Sequence, residues 1–116
     1  MIWDPLIPRW LIAFYKVAWT IFGVWGYIET RVTKITLDTR ACEAIKTAWA
    51  GCVTYQDGIV HVKWFLTWWA MPGWIYAMVH EAAHIDQYRT GWNMLSPSTE
   101  WNAHWRALMA ILMRRH

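Results

Sequence analysis

Nineteen consecutive residues, WLIAFYKVAWTIFGVWGYI at positions 10–28, contain one charged side chain, Lys16. A chain with such a run must cover it in a core, in a groove between elements, or in a membrane. The run nearly reaches the roughly 20 apolar residues needed for a helix to span a bilayer. Asp4, Pro5 and Pro8 precede it, and there is neither a basic start nor a small-residue cleavage site to mark a signal peptide. It reads as one apolar helix over residues 8–29, opening near Pro8 and losing its apolar character at Glu29. Two placements stay open: a buried or groove-packed helix, and membrane contact through residues 10–28, spanning or interfacial. The expected location is accordingly cytoplasmic, or membrane-associated through this helix.

The rest of the composition narrows the class. At 116 residues the chain is expected to form a single domain, residues 1–116. Twelve Trp and 57% hydrophobic residues exclude disorder, because apolar surface is plentiful. Only 16% of residues are charged, so the surface is sticky or partly covered. The net charge of +3 is scattered except at the terminal Arg114, Arg115 and His116, which suit the negative end of a helix dipole. No basic stripe interleaved with aromatic residues is present, so no nucleic-acid partner is expected. Cys42 and Cys52 lack metal-type spacing; they pair in an oxidising compartment or stay as two buried thiols.

After the apolar run, RVTKITL alternates like a short strand, with Val32 and Ile35 on its apolar side. DTRACEAIKTAWAG, residues 38–51, reads as a helix with Asp38 as N-cap and Gly51 as C-cap. CVTYQDGIVHVKW is a hairpin signal, with Asp57-Gly58 suited to a two-residue type I′ turn. Pro72 fits the first turn of a helix over about residues 73–90 that Gly91 ends. Ser96-Pro97 or Ser98 opens a last helix. The fold class is α+β, mostly helical, with a short β-hairpin or sheet beside the helix of residues 73–90. Residues 50–116 form the expected metal-binding core.

That helix carries VHEAAHIDQY, residues 79–88. Helical spacing stacks His80 and His84 on one face, because side chains at i and i+4 are neighbours. Neutral imidazoles are good ligands for Zn2+. Glu81, offset by about 100° around the helix, is placed to take a proton from a water that the metal acidifies. A catalytic zinc needs a third protein ligand, usually from a following element. Glu100, His104 and His116 are the candidates after Gly91, and Glu100 and His104 share a face of the last helix. Asp86 and Gln87 are expected to end the motif helix in solvent. Tyr88, one turn after His84, either packs in the core or assists the transition state. His61 in mid-strand reads as a satisfied or exposed histidine. The Trp-rich KWFLTWWAMPGW packs by default, and otherwise lines an apolar cleft or a partner surface.

HEAAH followed by EWNAHWRAL resembles the gluzincin branch of zinc peptidases. The resemblance is nearest to the minigluzincin type and to the ImmA/IrrE-like peptidases of mobile elements and phages. It covers about residues 50–112, and its specific part is a few positions: His80, Glu81, His84, Glu100, Ala103 and Ala107. It implies a minimal zincin-like fold, Zn2+ as cofactor, Glu100 as third metal ligand and a peptide or protein substrate. It also implies an exposed strand beside the motif helix that pairs with extended substrate. The sequence departs from the pattern at His104, where relatives carry Asp or Asn that hydrogen-bonds a metal-binding histidine. His104 is therefore open among that role, direct metal binding and oxyanion stabilisation, and is carried with Glu81 as a catalytic candidate. The metzincin pattern fails, because Gln87 and Thr90 stand where it needs Gly and His.

Two functions follow. The first is a small zinc-dependent peptidase with Glu81 as general base. The second is a catalytically silent zincin-like binding or structural module, phage-encoded or membrane-associated.

Overall fold

A computed structural model describes residues 1–38, 40–42, 51–54, 56–62 and 71–113. In chain order these give β1 (Ile2–Trp3), α1 (Arg9–Ile21), α2 (Trp25–Arg31), β2 (Lys34–Thr36), a 3-10 turn (Arg40–Cys42), β3 (Gly51–Thr54), β4 (Ile59–Val62), α3 (Met71–Arg89) and α4 (Thr99–Met113). The fold is α+β: helices against one mixed sheet ordered β1-β2-β4-β3. β1 and β4 run parallel to β2, and β3 pairs antiparallel with β4.

The apolar run is two helices, not the single helix expected over residues 8–29. Gly23 takes a φ of 72°, its N–H reaches the Thr20 carbonyl, and the Val24 N–H reaches the Trp19 carbonyl. This is a Schellman ending with glycine in the left-handed position, where a side chain would be strained. The axis turns by 117° between α1 and α2. Among the described residues no single helix is long and apolar enough to cross a membrane, although the bent pair passes that test by length and composition alone.

One face of α1 makes the centre of the core. Leu11, Tyr15 and Trp19 are fully buried at i, i+4 and i+8, against Ile28, Ile35, Met78 and Ile85. Trp3 stacks on Tyr15 and Trp19, and the Trp19 Nε1–H donates to the Ile75 carbonyl at 3.2 Å, which ties α1 to α3. Asp4 fixes the N-terminal strand: its carboxylate accepts from the Leu6 and Leu37 N–H groups and from the Thr36 hydroxyl.

Two further expectations need correction. Thr54 pairs with Ile59, so four residues connect β3 to β4 instead of a two-residue turn. Gly58 has a φ of 68°, and a Cβ there would stand 2.8 Å from Thr33 Oγ1 and 2.9 Å from the Arg31 carbonyl. Glycine is needed there because the approach to Arg31 and Thr33 leaves no room for a Cβ. Gly51 is not a helix C-cap; it opens β3 opposite Val62, because the strand pairing claims its backbone. Residues 43–50, most of the helix expected there, lie outside the described residues. Cys42 and Cys52 form a disulfide that joins the 3-10 turn to β3.

α3 ends as α1 does. Gly91 has a φ of 80°, its N–H bonds the Tyr88 carbonyl, and the Trp92 N–H bonds the Gln87 carbonyl. The chain then returns as α4, whose buried face is Thr99, Ala103, Ala107 and Ala110. Ala82 and Ala83 on α3 are fully buried as well. Small side chains on both helices let the backbones approach closely, and that approach brings the two ends of the candidate site together.

Candidate metal centre

His80 and His84 lie one turn apart on α3, and Glu100 stands in the first turn of α4. His80 Nε2 is 3.1 Å from Glu100 Oε2, His84 Nε2 is 3.1 Å from Glu100 Oε1, and the two Nε2 atoms are 3.0 Å apart. The three residues form a group able to hold a metal ion, with ligand atoms all within 4.8 Å of one another. For a tetrahedral ion about 2.0–2.1 Å from its N and O ligands, neighbouring ligand atoms stand about 3.3 Å apart. The pairwise distances, which engage a different Glu100 oxygen for each histidine, approach that.

The protonation pattern gives an independent reason for a cation. Gln87 is fully buried, and its amide nitrogen donates to the Thr99 carbonyl at 2.9 Å and to Asn102 Oδ1 at 3.0 Å. That orientation leaves Gln87 Oε1 to accept from His84 Nδ1 at 2.9 Å. His84 Nδ1 therefore carries the proton, and in the neutral ring Nε2 presents a lone pair to the site. That lone pair faces a Glu100 carboxylate oxygen and His80 Nε2. One N–H from His80 cannot bridge all these acceptors, so the arrangement calls for a positive charge, as a proton or a metal ion. His80 disfavours the proton: burial lowers its pKa first, the neighbouring His84 lowers it further, and Glu100 opposes both.

The network extends outward. Arg106 Nε donates to Asn102 Oδ1 at 2.6 Å and its Nη1 donates to Asp86 at 2.7 Å. Arg31 from α2 meets the other Asp86 oxygen at 3.2 Å. Asp86 and Gln87 thus do not end α3 in solvent. The return of α4 and the packing of α2 enclose them, and both are held by hydrogen bonds or ion pairs.

Glu81 stands outside the three-residue group. Burial pushes its carboxyl up to about 7, and the nearby negative charge of Glu100 adds to the rise. His104 is exposed, with its ring centre 4.4 Å from that of His80. Its Nδ1 pairs with the Tyr76 hydroxyl at 2.8 Å. Burial holds that hydroxyl above its ordinary pKa, so it stays protonated, and which of the two groups donates depends on the His104 tautomer. The partner of His104 Nδ1 is therefore Tyr76, whereas Gln87 orients a site histidine. His80 Nδ1 is buried with no hydrogen-bond partner among the described residues.

Tyr76 and Gln87 are the residues that sequence reasoning missed. Both carried a signal, since Tyr76 is one turn before His80 and Gln87 is three residues after His84, each on the site face of α3. Tyr88 is about half exposed and lies outside the core, which corrects the core packing expected as one of its alternatives. His61 is satisfied as its strand position suggests, by the Thr54 hydroxyl at Nε2 and the Asp38 carbonyl at Nδ1. His116 lies outside the described residues. Comparisons of the chain with protein-family models, with curated proteins and with solved structures return no match, so the site is read from its own geometry.

Proposed function

We propose that the chain is a small zinc-dependent peptidase of gluzincin type. The observation that carries this reading is the convergence of His80 Nε2, His84 Nε2 and the Glu100 carboxylate, with Glu81 next to the first ligand on the same helix. Two imidazoles and one carboxylate suit Zn2+ better than the oxygen-seeking Mg2+ or Ca2+. Three protein ligands leave a fourth position for water or substrate.

His80, His84 and Glu100 would hold the ion, and Gln87 would keep His84 in the tautomer that exposes its Nε2 lone pair. Zinc held there supplies Lewis acidity and brings the pKa of a water toward about 7. With the ion in place, Glu81 would take a proton from the attacking water and deliver it to the leaving amine. The Tyr76–His104 pair borders His80, and in the tautomer with Nδ1 accepting from Tyr76 it would offer an N–H at His104 Nε2 toward an oxygen that gains negative charge. Among the described residues β3 is an outer strand of the sheet, and extended substrate would add there as a further strand.

The test is hydrolysis of a peptide library by zinc-loaded protein, with Glu81→Gln beside it. The peptidase reading expects cleavage by the wild type, and a Glu81→Gln variant that keeps its zinc while losing turnover. Zinc binding with no cleavage of any peptide supports the silent zincin-like module instead.

A further inference from the structure

Two rows of large apolar side chains face outward. On α1, Trp10, Phe14, Val17 and Ile21 recur at i, i+4, i+7 and i+11, opposite the buried Leu11, Tyr15 and Trp19. On α4, Trp101, Trp105, Leu108 and Leu112 follow the same spacing beside the buried alanines. That interval keeps side chains in one stripe of a 3.6-residue helix. All eight are between 43% and 79% exposed, so these are outer faces and not edges of the core.

The C-terminal ends of α1 and α4 border one apolar cavity. An open apolar cavity of about 220 Å³ is lined by Phe22 and Val24 after α1, by Ile75, Tyr76 and Val79 of α3, and by Ile111 of α4. Ile21 and Phe22 stand exposed on the α1 side, and Leu108, Leu112 and Met113 on the α4 side. Rows of exposed large apolar side chains beside such a cavity mark a docking site.

Charge selects the occupant. The charged residues of α1 are Arg9 and Lys16, both exposed, and the helix has no acidic residue. The one carboxylate of α4, Glu100, is engaged with His80 and His84. A second copy laid on the α1 stripe would bring cations together with no acidic partner on that helix. An anionic headgroup layer satisfies them, while Trp and Phe settle at the headgroup–acyl boundary. At 13 residues, α1 is about 20 Å long, short of the roughly 30 Å hydrocarbon core, so the contact is interfacial.

We infer that the outer faces of α1 and α4 dock this protein on the surface of an anionic lipid bilayer. The inference is independent of the peptidase reading, since binding is measured without turnover. The experiment is co-sedimentation of the full chain with phosphatidylcholine vesicles, with and without phosphatidylglycerol, across a salt series. Expected are at least tenfold tighter binding to the anionic vesicles and weakening as salt rises. Val17→Glu with Leu112→Glu, at positions 59% and 64% exposed, should reduce binding at least tenfold at unchanged circular dichroism. Lys16→Gln leaves the stripe intact and should cost about fivefold. If the double variant fails to fold, Lys16→Gln and the wild-type salt series decide the question. No binding to anionic vesicles, or equal and salt-independent binding to both kinds, overturns the inference. A lipid-free dimer that Val17→Glu and Leu112→Glu dissolve overturns it too, in favour of self-association.

Discussion

Replacing Gln87 with Leu should damage the candidate metal centre without touching His80, His84 or Glu100. The side chain is fully buried and makes three hydrogen bonds, to His84 Nδ1, the Thr99 carbonyl and Asn102 Oδ1. Leu fills similar volume but strands the His84 Nδ1–H, at about 1–3 kcal/mol for a buried unsatisfied donor. Asn102 Oδ1 keeps Arg106, so the two lost amide donations cost less, about 0.5–1.5 kcal/mol each at most. Urea denaturation of the metal-free protein should therefore show a loss of about 2–6 kcal/mol. Competition titration against a chromophoric chelator should show zinc affinity reduced about 10–100-fold, the usual cost of removing a partner that orients a ligand. Gln87→Glu separates the two effects. It keeps an acceptor for His84 but turns an oxygen toward Thr99 and Asn102, so it should hold zinc within about tenfold while destabilising the metal-free chain. Stability within about 0.5 kcal/mol and zinc affinity within about twofold for Gln87→Leu would refute the tautomer argument.

Glu100→Gln should weaken zinc severely in the same titration, because it removes the negative ligand. His104→Asn should cost about 10–100-fold or less, since its Nδ1 is already engaged by Tyr76. Loss of zinc from His104→Asn with retention by Glu100→Gln would make the site three histidines and remove the gluzincin assignment. Replacing both Cys42 and Cys52 with Ser should lower stability by about 2–3 kcal/mol in chemical denaturation, as expected for a short closed loop. Acid should loosen the N-terminal tether. Burial acts upward on Asp4, but the N–H groups of Leu37 and Leu6, the Thr36 hydroxyl and Lys34 outweigh it, so its carboxyl sits below the ordinary 3.8. A depressed carboxyl gives stability that is complete above its unfolded value and lost as pH falls through the folded one. Melting temperature should therefore fall below about pH 4, and Asp4→Asn should flatten that part of the profile.

What the sequence made legible was local. His80 and His84 fall on one face by helical spacing, Gly91 stops α3 as expected, and Glu100 and His104 share a face of the helix that returns. Ala103 and Ala107 already suggested close helix packing. Residues whose state depends on distant partners were not legible. Gln87 looks like a polar helix end until α4 covers it, and Asp86 looks solvated until Arg31 and Arg106 arrive from two other helices. The break at Gly23 was hidden because its neighbours are as apolar as a continuous helix would be. The parallel pairing of β1 with β2 joins Ile2 to Lys34 across the whole α1–α2 segment, and two residues leave no periodicity to read.

The most direct measurement is zinc content by elemental analysis, on protein purified without chelator and equilibrated with zinc. The account predicts close to one zinc per wild-type chain, none at stoichiometric level in His84→Ala, and retention in Glu81→Gln. A wild-type chain that cannot be loaded would contradict the account, as would equal loading of wild type and His84→Ala.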